Sequence, residues 1–108
     1  MPWEVLEAVR RLSDEELVSS LKSLAGRERE TTVELVAHVA ELDTRDLHLR
    51  AGYGSLFVYC REVLLLSEHE AYNRIEAARA ARRYPEILER LKEGALNLTS
   101  VRLVARHL

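Results

Sequence analysis

The sequence predicts an all-α, compact multi-helix domain with one long helix and a helix-turn-helix-like pair. Three observations carry this. Apolar residues recur at three- and four-residue intervals through most of the 108 positions, the period of a helix with one buried face. Two Ser-x-x-Glu capping boxes, Ser13-Asp14-Glu15-Glu16 and Ser67-Glu68-His69-Glu70, mark helix starts. In each, the serine hydroxyl accepts from the third amide and the glutamate carboxylate accepts from the serine amide. Finally, four glycines, two prolines and 6% aromatics supply too few turn formers and strand formers for a sandwich or barrel.

Taken in chain order, Pro2 opens a short, peripheral first helix with Val5, Val9 and Leu12 on one side, proline being tolerated in a first turn. After Ser13, the residues Leu17, Leu21, Leu24, Leu35, Val39 and Leu42 keep one phase, with Glu28 and Thr31 at the intervening seam positions. The phase survives Gly26, and Arg27-Glu28-Arg29-Glu30 are good helix formers, so one helix over 14 to about 43 is expected, with a break at Gly26 as the alternative. Leu47-His48-Leu49 reads as a short turn carrying two apolar anchors. Ser55 caps a helix from Leu56 through Leu64 that is apolar on most faces; Phe57, Val58 or Tyr59, Cys60, Leu64, Ile75 and Ala78 are the expected centre of the core. The second capping box opens a helix through Arg83. Pro85, Ile87, Leu88, Leu91 and Gly94 outline a two-turn helix, and Thr99 is expected to cap a last one through Val101, Leu103 and Val104. The sequence stops at His107-Leu108 with no terminating glycine, proline or polar tail, as expected of the N-terminal part of a longer protein whose residues 1–108 form a single domain.

Composition narrows the function. Sixteen basic and eighteen acidic residues give a net charge of −2, unlike a chain that holds polyanions by bulk charge. Residues 67–108 carry eight basic and six acidic side chains, residues 1–66 eight and twelve, so any nucleic-acid surface must be local and in the second half. Cys60 is the only cysteine, which excludes an internal disulfide and fits a reducing cytoplasm. The longest apolar run covers five residues, Leu56 to Cys60, far short of the ~20 needed to span a membrane. His38, His48, His69 and His107 never stand at a metal-ligand spacing, and no His-Glu-x-x-His or Cys-x-x-Cys occurs, so neither a metal nor another cofactor is expected. Gly52-Tyr53-Gly54 lacks the third glycine and preceding strand of a phosphate loop. No catalytic site, and no site for a small-molecule substrate, can be assembled from these residues.

The informative element is the helix over 68–83. At ~100° per residue, with Ala71 at zero, Ile75 and Ala78 fall within about 40° of it and form the expected buried stripe. Tyr72, Arg79 and Arg83 cluster on one flank with Glu76, while His69, Asn73 and Ala80 are placed on the far side, away from the core. Four alanines, Ala77, Ala78, Ala80 and Ala81, keep the helix slim enough for close approach to another helix or a groove. The helix of Ser55, the turn at Leu65-Leu66-Ser67 and this helix have the outline of a helix-turn-helix. The arginines near the helix C-terminus are also what its dipole favours in any protein.

Gly52-Tyr53-Gly54-Ser55-Leu56-Phe57-Val58-Tyr59-Cys60, Leu66-Ser67-Glu68, Ala71-Tyr72-Asn73-Arg74-Ile75, Ala77-Ala78-Arg79 and Ala81-Arg82-Arg83-Tyr84-Pro85 together resemble the helical N-terminal region of a group of bacterial HNH endonucleases. The resemblance runs from about Leu12 through Leu98-Thr99 and Val101-Arg102-Leu103, nearly the whole chain. It implies the targeting or scaffold half of a nuclease. In that group a linker and a compact module with metal-binding and general-base histidines follow; no residue here corresponds to them. The reading that follows is a non-catalytic DNA-binding domain in which Tyr72, Asn73, Arg79 and Arg83, with His69, face the duplex: Arg on phosphate or guanine, Asn on adenine. The alternative is a helical protein-interaction or oligomerisation module, in which the long helix pairs with its copy or with another subunit.

Overall fold

The computed structural model describes residues 2–105, which form seven helices: α1 (Pro2–Arg10), α2 (Asp14–Thr44), α3 (Leu47–Arg50), α4 (Leu56–Glu62), α5 (Glu68–Arg83), α6 (Glu86–Glu93) and α7 (Leu98–Ala105). No strand occurs among the described residues, as the sequence predicts. His107 and Leu108 lie outside them.

Both capping boxes are formed. Ser13 Oγ accepts from Glu16 N at 3.1 Å while Ser13 N donates to Glu16 Oε1 at 2.9 Å, and the pair at Ser67 and Glu70 repeats this at 3.1 and 2.8 Å. Backbone amide donation by Ser67, then its hydroxyl contact, holds the Glu70 carboxyl below the usual glutamate range, and Ser13 does the same for Glu16. A carboxylate whose folded pKa is depressed stabilises the fold above its unfolded value and loses that contribution as pH falls through the folded value. Glu70→Gln should therefore lower stability at neutral and alkaline pH and flatten the acid limb of the stability curve, so that the two proteins converge at low pH, as measured by circular dichroism across the pH range.

The long helix runs unbroken through Gly26, whose missing side chain would meet only Arg29 Nη2, at 3.8 Å. Its two halves differ. From Val33 to Leu42 it packs against the core, with Val36 and Val39 buried. Over residues 14–25 it has no buried side chain. α1 is exposed throughout, as a peripheral helix should be. The radius of gyration is 16.7 Å and the extents are 48 × 31 × 19 Å, against about 13 Å for a closely packed domain of this length.

The core is centred on α5 rather than on the helix of Ser55. Seven α5 residues are buried: Ala71, Asn73, Ile75, Ala77, Ala78, Ala80 and Ala81. Around the axis they occupy an arc of about 220°, because α2, α4, α6 and α7 all pack on it. Alanine makes this possible by letting the neighbours approach closely. α4 contributes one face, Leu56 and Cys60, an i,i+4 pair. Of the expected core centre, Cys60, Ile75 and Ala78 are buried, but Phe57, Val58, Tyr59 and Leu64 are only half-buried. A two-turn helix at the rim of the bundle cannot bury all its faces, whatever its composition. Val36 and Val101 are fully buried instead.

Smaller departures have local causes. The turn over residues 47–49 is a one-turn helix entered through Asp46 in the left-handed region (φ 54°). That entry turns His48 inward, at 5% exposure, and leaves Leu47 and Leu49 outside. The cap of α7 is Asn97, whose Oδ1 accepts from Ser100 N at 2.8 Å, two residues earlier than Thr99. α6 ends on Gly94 with φ 82°, as its sequence predicts. Between α4 and α5, Leu65 takes the left-handed conformation (φ 58°), so that Leu66 N can donate to Cys60 O at 3.1 Å. This is the work of a C-terminal glycine, done here by leucine.

Candidate functional site

α4 and α5 follow one another across a tight turn, but α5 is not free to act as an inserted helix. Its open arc holds Glu68, Tyr72, Glu76, Arg79 and Arg83, while Arg82, by angle on the covered side, is exposed in the last turn, and most of these side chains touch the rest of the chain. Tyr72 lies against Phe57 with ring centroids 4.9 Å apart. Arg79 Nε and Arg82 Nη1 stand 3.6 and 3.2 Å from the same oxygen of Asp43, at the end of α2. That carboxylate is 14% exposed, the guanidinium side chains 56% and 46%. Arg83 places its guanidinium carbon 5.6 Å from the Tyr84 ring centroid.

Asn73 is the main correction to the expected site. It is 6% exposed, with its Nδ2 at 3.0 Å from His69 Nε2 and its Oδ1 buried without a partner. The face it shares with Ala77 and Ala80 is covered, so Asn73 cannot read a base edge in this conformation. His69 is exposed. Of the five expected residues, Tyr72, Arg79 and Arg83 share one open flank, His69 lies at its edge, and Asn73 is inside.

A second set of exposed side chains is apolar. Trp3, Val5, Leu6 and Val9 of α1 and Leu17, Val18, Leu21 and Leu24 of α2 are exposed by 37% to 66%. On α2 the four fall within about 120° of one another around the axis, continuous with the stripe that Leu35, Val36, Val39 and Leu42 turn into the core. One helical stripe is thus covered at its C-terminal end and open at its N-terminal end. Exposed contiguous apolar surface of this kind marks an interaction site more often than scattered single residues do. The seam of α2 and the peripheral place of α1 are legible in the sequence; the division of the seam into covered and open halves is not, and neither is the exposure of Val18.

A cavity of about 450 Å³ between α2, α6 and α7 is lined by Arg29, Thr32, Leu91, Gly94 and residues 96–99. No carboxylate, imidazole or thiol lines it, so the hydroxyls of Thr32 and Thr99 have no side-chain base beside them there. Among the described residues no cluster of His, Cys, Asp or Glu could hold a metal ion. Burial raises the Cys60 thiol above the usual range, the opposite of an activated nucleophile. No helix among the described residues is long and apolar enough to cross a membrane.

Comparison with family models, with curated proteins and with solved structures gives no match, so the resemblance to the helical region of HNH endonucleases stands on its quoted residues alone.

Proposed function

We propose that this chain is a non-catalytic helical assembly module that takes a second amphipathic helix on the open half of its α2 stripe. The observation that carries this is the continuity of one stripe. The spacing that buries Val36 and Val39 against the core presents Leu17, Leu21 and Leu24 to solvent, a face shaped for a helix with no helix of this chain on it. The α5 arginines support it from the other side, since two of them already neutralise Asp43.

DNA binding is the second reading, favoured by the guanidinium groups of Arg79 and Arg82 that remain half exposed on α5. On the resemblance, either activity would belong to the part of a protein that positions a nuclease module, and the lone Cys60 fits a cytoplasmic setting. Sedimentation velocity from low to high micromolar concentration, with duplex titration at two salt concentrations, separates them. The expected result is a mass that rises with concentration and that Leu21→Glu returns to the monomer value. Assembly is rejected by a protein that stays monomeric and binds duplex with a salt slope that Arg79→Ala with Arg83→Ala flattens by roughly two units.

A further inference from the structure

We infer that the occupant of the open stripe is a second copy of this chain, its α2 antiparallel to the first and crossing it on a two-fold axis at Leu21. This rests on the assembly reading above and adds the partner, the direction and the register.

Charge sets the direction. The first turn of α2 is wholly acidic, Asp14, Glu15 and Glu16, and the turns beyond Leu21 are of mixed sign, with Lys22, Arg27 and Arg29 beside Glu28 and Glu30. A parallel pair would lay three carboxylates against their own copies. An antiparallel pair centred on Leu21 instead brings Glu15 level with Arg27 and Glu16 one residue from it, with only Asp14 level with a carboxylate, Glu28, and a two-fold arrangement makes these contacts twice. Around the axis, Glu16 and Arg27 lie within about 20° of each other, on one flank of the stripe.

Apolar matching sets the register. With the axis at Leu21, that residue meets its own copy, Val18 is level with Leu24 of the second copy, and Leu17 is level with the small Ala25. Glu16 is then level with Gly26 of the second copy, one residue from Arg27, where the missing side chain leaves room for a carboxylate and a guanidinium to meet. The apolar run ends at Glu28, as the pairing does.

Area brings in α1. From their fractional exposures, the four α2 residues offer on the order of 400 Å² per copy, and Trp3, Val5, Leu6 and Val9 about as much again, whereas a stable interface needs about 800 Å² per partner. The α2 stripes alone fall short, so α1, joined by residues 11–13 to the end of α2 that lies beside Arg29 of the second copy, completes the interface.

Single cysteines at Leu17, Leu21 and Leu24 test the arrangement on the full chain; all three positions are exposed, and the native Cys60 is buried. A disulfide needs Cα atoms about 4.4 to 6.8 Å apart. In the proposed register Leu21→Cys meets itself, while the two copies of position 17 lie ~12 Å apart along the axis and those of position 24 ~9 Å, at 1.5 Å per residue. Mild oxidation should therefore crosslink Leu21→Cys alone, and a mixture of Val18→Cys and Leu24→Cys as a heterodimer, but neither Leu17→Cys nor Leu24→Cys alone. Arg27→Glu should raise the dimer dissociation constant roughly tenfold, and the fluorescence of Trp3 should shift to the blue as concentration rises. Self-crosslinking at all three positions would mean parallel pairing, and an oligomer that crosslinks at none of them would mean another surface; either overturns this inference and leaves assembly standing. A protein that is monomeric at every concentration removes both.

Discussion

Ile75→Ala is expected to lower the unfolding free energy by about 2 to 5 kcal/mol, the cost of removing a large aliphatic side chain from a packed interior. Ile75 is 5% exposed on α5 and belongs to the same apolar cluster as Val36, Cys60 and Leu91. The stripe of α2 supplies the control. Leu24→Ala removes as large a side chain, but Leu24 is 54% exposed, and in the dissociated protein its loss should lie within the roughly 0.5 kcal/mol typical of surface substitutions. Chemical denaturation at low protein concentration measures both, and an intact two-state transition is recognised by an unchanged denaturant slope. A cost below about 1 kcal/mol for Ile75→Ala would displace α5 from the centre of the core.

The second large effect comes from adding atoms. Ala77 is fully buried, in the part of α5 where alanines bring its neighbours closest. Ala77→Leu inserts three heavy atoms into that contact and should cost about 1 to 3 kcal/mol through displaced helices and unfavourable rotamers. In a domain of this size each kcal/mol shifts the melting temperature by about 4 to 8 °C, so calorimetry resolves it. On an open surface leucine is only slightly worse than alanine as a helix former; a melting temperature unchanged by Ala77→Leu would show that this side of α5 is open.

Local chemistry made most of the helices legible in the sequence. Ser13 and Ser67 with their glutamates determine where α2 and α5 begin, and Gly94 where α6 stops. Their geometry depends on neighbours within four residues, which a sequence displays directly. The face of α5 that turns inward depends instead on which helices arrive from elsewhere in the chain. A polar asparagine among alanines reads as an outer face by composition. It is an inner one because α5 is covered over most of its circumference. The same limit explains α4: its apolar surround pointed to the centre of the core, but seven residues at the edge of a bundle have one inward side. Arg79 is legible in the sequence as a cation on the open flank; that it shares a carboxylate with Arg82 is not, since Asp43 lies 36 and 39 positions earlier in the chain.

The two unequal halves of α2 bear on how its open face comes to exist at all. A lone helix of a dozen residues is marginal in water, because the first turn fixes several dihedrals for one hydrogen bond, whereas each later residue needs only to be added. The segment that carries Leu17 and Leu21 buries no side chain that would hold that first turn. It has no need of one. Nucleation occurs where Val36 and Val39 are gripped by the core, propagation carries the helix outward, and the Ser13 box checks fraying at the far end. A partner thus meets a backbone that is already ordered, and its affinity escapes the roughly 1 to 2 kcal/mol per residue that ordering a coil would cost. The reach of the core therefore extends beyond what it touches: loosening its hold on Val36 would unravel a surface several turns away.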